Sequence, residues 1–468
     1  MKGRTVRDAM VVLVQVIMGF SGWQWVQQHY PHIRLDPEAE IDPERTYTIN
    51  VWVEMGRGLV KNPLLEAEFW SQIIKGFRSV YPNTEIVLQA VSAAELEREM
   101  QDALARGRPP HVLVASSEWF RLWSKLQLPI DRFLPEEERA RYVPGALAKV
   151  TVGESLMAWP SQVQPRVWAA SRRHLDKLSG DLPEALRQWR EGGLWSGDDL
   201  QGARDRILKL KGAGQNQLAH QLGNSGTLLD LALVASGGLL GPKGELLLNE
   251  ELLSGIIDLW QALQDEKIME LVQGTLLTDF LSGKRLAVGP VGLWIWTLKE
   301  EAAIRGYKAL AVPQDIILIP PPGSSGELGT LSGTTVDVAV FAQRPFQGPA
   351  QARLSMELAK AISRELGLEL SRRGFGVPAY KPLWDELVEE WQSTLGWGPE
   401  QRANLEQLLE SAAGLPALSP KWHEARRRLI VEILLPGFDD FVNGKVGPEI
   451  AEQLDKEMRT FLASLQGR

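Results

Sequence analysis

Four apolar residues, Val112-Leu-Val-Ala115, stand between Pro109-Pro110 and the polar Ser116-Ser117-Glu118. A run this short and unbroken fits a strand buried on both faces, as in a parallel sheet covered by helices. The residues before it have the same grain. Thr48-Ile-Asn-Val-Trp-Val53 alternates and is rich in β-branched residues, which predicts a strand. Asn62-Pro63 then caps a helix in which Leu65, Phe69, Ile73 and Phe77 form one apolar face, ended by Tyr81-Pro82-Asn83. Glu85 to Ala90 forms a second strand, and Ser92 with Glu95 predicts a capping box for a helix carrying Leu96, Met100 and Leu104. The order β-α-β-α-β implies an α/β fold. In such sheets ligands sit beyond the carboxyl ends of the strands, here Glu54 to Gly58 and Ser116 to Trp119.

Composition narrows the chemistry. With 59 Asp and Glu against 51 Lys and Arg, the net charge is −8, a poor match for a phosphate backbone, so no nucleic-acid partner is expected. There is no cysteine, which excludes disulfides, thiolate metal sites and Cys nucleophiles. The six histidines include no H-E-x-x-H and no paired metal-ligand spacing, so no metal is expected. Gly212-Ala-Gly214-Gln-Asn-Gln217 lacks the third glycine of a dinucleotide loop, and no cofactor is expected. Gly223-Asn-Ser-Gly226 and Val234-Ala-Ser-Gly-Gly238 each miss the G-x-S-x-G elbow. Carboxylates suffice for a glycosidase pair, yet no spacing singles out two of them, so the expectation is a protein that is not an enzyme. The unusual number is 17 Trp beside 6 Tyr and 12 Phe. A pyranose offers an apolar C–H face that a flat ring buries, while polar groups satisfy its hydroxyl rim.

The amino terminus has a different character. Lys2, Arg4 and Arg7 precede the apolar run Ala9 to Phe20, followed by Trp23 and Trp25. A basic flank, an apolar core and interfacial tryptophans describe an export signal or a membrane anchor. No A-x-A site follows, so residues 1–26 are expected to be an uncleaved anchor with the body outside the cytoplasm. Residues 27–46, rich in proline and charge, are expected to be a linker.

From Tyr47 onward the order of segments resembles the extracytoplasmic solute-binding proteins of ABC importers, in their sugar-binding branch, family 1. The resemblance rests on Phe77 to Gln89, on Ala103 to Ser116, and on Leu229 to Leu239 with its Gly-Gly pair. It continues through the helix Asn249 to Leu271 and through Phe280-Leu-Ser-Gly-Lys-Arg-Leu-Ala-Val-Gly-Pro-Val-Gly-Leu-Trp-Ile-Trp296. It ends with Leu331 to Val340, Gly374 to Pro378 and Leu418 to Trp422. Two departures stand out: His111 replaces the family's Asp, and Ala170-Ser171 replaces an aromatic-Asn pair of the sugar site.

The resemblance implies a two-lobed α/β fold of the periplasmic-binding-protein type, class II, with a cleft between lobes that close on a solute. Lobe 1 would comprise 47–159 plus 330–377, and lobe 2 would comprise 160–329 plus 378–468. Crossings are expected near Trp159-Pro160, Gly326 to Gly329 and Pro378. The implied partners are a small carbohydrate-like solute and an ABC permease, with the protein itself a monomer. The alternative is a non-transport sensor or envelope scaffold using the same cleft.

Trp294 occupies the family's sugar-stacking position and is the expected anchor, with Trp296 beside it and Trp422 ahead of the penultimate helix. Trp52, Glu54, Ser116 and Glu118 are candidates because they lie at strand ends. Trp159 and Gln162 lie at one expected crossing, and Ser332, Gly333 and Thr334 line the return. Trp70, Trp123, Trp189, Trp260 and Trp391 fall in helical patterns and are expected to pack or to lie at the surface.

Overall fold

A computed structural model describes residues 35–55, 63–164, 167–171, 218–220, 224–236, 238–265, 269–270, 287–291, 316–319, 336–372, 376–395, 398–410 and 418–466. The expected anchor (1–26) lies outside these, as do Trp189, Trp294, Trp296, Ser332, Gly333, Thr334 and the crossing near Gly326 to Gly329. Among the described residues no helix is long and apolar enough to cross a membrane.

The first sheet is built on β1 (Tyr47–Met55), β2 (Thr84–Ser92) and β3 (Val112–Ser116). β1 lies between the other two and runs parallel to both. Beyond β3 come Val336–Val340 and then Trp159–Pro160, the former antiparallel to both its neighbours. Every residue of β3 and of Val336–Val340 is buried, as the unbroken apolar run required. The helices Pro63–Val80 and Leu96–Ala105 connect β1 to β2 and β2 to β3.

The capping expectation at Ser92 needs correction. Strand pairing continues as far as Met55 opposite Ser92, so Ser92 belongs to β2 and the helix begins at Leu96. The Ser92 hydroxyl still reaches the Glu95 carboxylate, at 2.8 Å, but within a turn rather than a cap. Residues 35–46 also differ from a free linker. Leu35 and Ala39 are buried, and Arg132 and Arg353 donate to their carbonyls at 3.0 and 2.8 Å. The segment is thereby held against the first core.

The second sheet has the order Met269–Glu270, Leu218–His220, Ala287–Val291, Val167–Ser171 and Ile316–Ile319. Its first three strands are parallel, and Val167–Ser171 is antiparallel to both its neighbours. Both sheets are therefore mixed.

Buried apolar side chains form two clusters. One surrounds the first sheet and the helix Pro349–Arg372, and extends to Leu387, Trp391, Leu405 and Leu409. The other joins the helices Asn224–Ala235 and Glu250–Asp265 to the carboxyl-terminal helices, through Trp260, Phe438, Leu454 and Met458. Trp123, Trp260 and Trp391 are buried in these clusters, as their helical spacing suggested.

The segment between the sheets is unusually tight. Gln162–Val163 pairs antiparallel with Val377–Pro378. Ala379 N–H donates to the Ser161 carbonyl at 3.0 Å, and a Cβ on Gly367 would lie 2.1 Å from that same oxygen. Gly376 has φ +155°, and a Cβ there would meet the Val163 carbonyl at 2.6 Å. Two residues without side chains are what let the long helix and the return strand close on this crossing. The indole of Trp384, unmarked by any motif in the sequence, donates to the Pro378 carbonyl at 2.8 Å.

Candidate functional site at the strand ends

The carboxyl ends of β1 and β3 lie side by side because the strands are parallel, and they bring Glu54 and Ser116 together. Glu54 is nearly buried, at 8% exposure. Its Oε2 accepts the Ser116 backbone N–H at 2.7 Å, and its Oε1 accepts the Trp119 indole N–H at 3.1 Å. A carboxylate so buried is tolerable only when hydrogen bonds replace its water. These donors therefore hold Glu54 in one orientation and leave little freedom to its side chain.

Trp119 sits on the short helix Ser117–Leu122 that β3 leads into. Its ring stacks on Trp123 with centroids 5.4 Å apart and planes 6° from parallel. Trp123 is buried while Trp119 is only partly so. The pair thus offers a partly exposed flat ring, rigidly backed and tied to a carboxylate, at a strand end. Trp119 belongs to the strand end expected from the sequence but is not among the individual residues expected to bind. The available signal was two tryptophans four positions apart directly after a strand end, a spacing that puts both on one helix face.

This helix lies against Pro420–Arg428, the helix that carries Trp422. The strand ends of the first sheet and an element of the second cluster therefore meet. On the same helix Arg427 is paired with Glu424 at 2.6 Å, and Glu97 of the first cluster lies close enough to add to its field. Both effects, the Glu424 hydrogen bond first, raise the Arg427 pKa.

The other expected site residues divide. Trp422 is partly exposed, and its ring covers Gly244, where a Cβ would come within 2.2 Å of it. Lys421 Nζ lies 5.3 Å from the ring centroid. One face of that indole is thus already occupied. Glu118 lies in the Ser117–Leu122 helix, beside Trp119.

Four of the expected site residues lie inside the fold. Trp159 is 0% exposed and forms the outer strand of the first sheet, with Lys360 Nζ 5.4 Å from its ring, so here it packs. Trp52, opposite Leu113 in the sheet, is taken into the first cluster. Ser116 is fully buried and acts through its backbone on Glu54. Gln162 is 4% exposed within the crossing.

The crossing contrasts with the strand ends in how its polar atoms fare. Trp159 Nε1, Ser161 Oγ and Gln162 Oε1 are all buried and have no hydrogen-bond partner among the described residues. His111, where the family has an acid, is well matched instead. Its Nδ1 accepts the Asn50 N–H at 3.1 Å, and its Nε2 meets Gln347 Oε1 at 3.1 Å. Burial lowers its pKa from the ordinary value, partly offset by the Gln347 bond. Among the described residues no group of His, Cys, Asp and Glu is arranged to hold a metal.

The architecture defines a fold class. It is the fold of the family 1 extracellular solute-binding proteins, and several of the solved structures that match it are named as binding proteins. An extracellular solute-binding protein family 1 from Alicyclobacillus acidocaldarius is 17% identical, with a TM-score of 0.62 covering 90% of this chain and 100% of that one. The sugar-binding protein MalE from Xanthomonas citri is 14% identical, with a TM-score of 0.63 covering 90% of this chain and 98% of that one. The cyclic alpha-maltosyl-1,6-maltose binding protein from Arthrobacter globiformis is 12% identical, with a TM-score of 0.60 covering 89% and 99% of the two chains. No protein-family profile and no curated protein sequence matches the chain.

Proposed function

We propose that the protein is the extracytoplasmic substrate-binding component of an ABC transporter, taking up a carbohydrate-like solute by lobe closure and presenting it to a membrane permease. The observation that carries this reading is the fold likeness over 90% of the chain to a sugar-binding protein. In the proposed division, 47–159 plus 330–377 form one lobe and 160–329 plus 378–468 the other. The crossing at Ser161 to Val163 is the pivot, and the basic, apolar segment 1–26 tethers the body to the outer face of the membrane.

In this reading the solute lies between the strand ends and the Pro420–Arg428 helix. Trp119 supplies a flat ring for the apolar face of a sugar, and Glu54 fixes that ring by its hydrogen bond. Glu118 and Trp422 flank it, and Trp294, with Trp296, supplies the opposing platform. Ser332, Gly333 and Thr334 offer donors from the return crossing. Ala170-Ser171, paired with Ile316 and Ile317 in the second sheet, removes one aromatic subsite and favours a ligand that differs from a malto-oligosaccharide.

Isothermal titration of the full-length protein against a panel of mono- and oligosaccharides tests the proposal. Saturable heat with at least one sugar is expected, weakened about tenfold or more in Trp294→Ala at unchanged thermal stability. Silence toward every sugar, with binding to peptides or metal ions, would remove the carbohydrate assignment. An unchanged affinity together with a collapsed melting temperature would return Trp294 to the core.

A further inference from the structure

A groove of about 940 Å³ runs between the helix Pro63–Val80 and the edge of the first sheet, and reaches Glu54 and Met55 at the end of β1. Its apolar wall is formed by Val53, Trp70, Ile74, Leu88 and Ala90, and its rim carries Lys75 and Arg78. Glu54 also borders it, but sheet alternation turns the Glu54 side chain to the face opposite Val53, where Ser116 and Trp119 engage it.

Three observations make this groove unlike an ordinary surface dent. First, β2 is the edge strand, nine residues long, and among the described residues it pairs only with β1. Soluble proteins usually shield such an edge with charge, proline or a bulge. Here its middle is Val87 and Leu88, exposed at 44% and 36%. Second, Leu88 and Ala90 line the groove from one face of β2, so a strand added to that edge would have a pocket under alternate side chains. Third, Lys75 and Arg78 are both exposed and have no ion-pair or hydrogen-bond partner among the described residues, in a chain whose net charge is −8. Two unpaired cations on one helix flank, beside an open edge, complement an acidic guest.

We propose that this groove is a docking site for an extended, acidic segment of a partner protein, which adds as a sixth strand to β2. It seats alternate apolar side chains against Leu88, Ile74 and Trp70 and directs carboxylates to Lys75 and Arg78. Main-chain hydrogen bonds to the edge provide most of the affinity, and the groove and its cations provide the selection. The proposal does not depend on the nature of the solute.

The test uses the full-length protein and a fluorescein-labelled twelve-residue peptide of alternating valine and glutamate. The comparison probes are its valine-lysine counterpart and the same acidic peptide N-methylated at alternate residues. Fluorescence anisotropy is expected to show saturable binding of the acidic peptide alone. Lys75→Glu with Arg78→Glu, both at exposed positions, should weaken it at least tenfold without altering the melting temperature. Leu88→Asp should weaken it comparably. Equal binding of the lysine or N-methylated peptide would overturn strand addition, as would indifference to the charge reversal. Two other outcomes would also overturn it. One is a concentration-dependent dimer in sedimentation that the charge reversal abolishes, which would assign the groove to a second copy. The other is binding to phosphatidylglycerol vesicles with the same dependence and none to the peptide, which would assign it to a membrane surface.

Discussion

The strand ends and the crossing are both buried polar regions, yet they are built on opposite terms. At the strand ends Glu54 accepts from Ser116 and Trp119, and Trp119 is backed by Trp123. At the crossing Trp159 Nε1, Ser161 Oγ and Gln162 Oε1 find no partner among the described residues, while glycines press the backbone together. A matched buried group resists displacement because moving it forfeits its bonds. An unmatched one loses nothing by moving and already costs the folded state about 1–3 kcal/mol. The difference teaches where rigidity and motion belong: the first region is suited to hold a ligand platform still, the second to act as the pivot.

The most severe way to break this contrast is Gly367→Val. Its Cβ would fall 2.1 Å from the Ser161 carbonyl, and backbone oxygen has nowhere to retreat. We expect a loss of about 3 kcal/mol or more, read as a fall in the urea midpoint. A loss below about 1 kcal/mol would show that the crossing is looser than drawn. Next, Glu54→Ala strips the acceptor from two donors and should cost about 2 kcal/mol, with sugar affinity falling as the Trp119 ring loses its tether. Unchanged stability would mean that the strand-end network is dispensable. Gln162→Leu sharpens the comparison from the other side. Replacing a side chain whose amide oxygen is unmatched among the described residues with an apolar one of similar size should raise stability by up to about 1 kcal/mol, and a clear loss would reveal a partner for that amide.

The smallest effect is one of pH, in a part of the sheet that belongs to neither region. Burial lowers the His111 pKa below its ordinary 6.5. As pH falls below about 6.5, the unfolded chain takes up a proton that the folded chain refuses, so stability drops until the folded pKa is reached. His111→Asn keeps an acceptor for the Asn50 N–H, and should flatten this acid slope by less than about 1 kcal/mol between pH 7 and 5. An unaltered slope would place the proton uptake elsewhere.

Much of the fold was legible because local and long-range demands agreed. The unbroken run at Val112 to Ala115 could satisfy its side chains only in a covered sheet, and Phe69, Ile73 and Phe77 could face only inward. Legibility failed where a partner remote in sequence decides the outcome. The end of β2 is set by pairing with Met55, so Ser92 is held in the strand despite its capping pattern. Trp159 looked accessible at a crossing, but the antiparallel strand Val336–Val340 and Lys360 enclose it. Trp119 escaped notice because the acid that gives it a role is 65 residues earlier in the chain. Position along a strand predicts which residues gather at its end. It does not tell which of them face solvent and which serve only to hold the others.

The bond from the Trp384 indole to the Pro378 carbonyl has a practical corollary. An indole whose N–H is engaged emits differently from one that is released. This chromophore is fastened to the very backbone that would have to rearrange when the protein grips a guest. If the proposed closure takes place, this indole would serve as an intrinsic optical gauge of it. Subtracting the emission of a Trp384→Phe variant would isolate its reading from the other sixteen tryptophans.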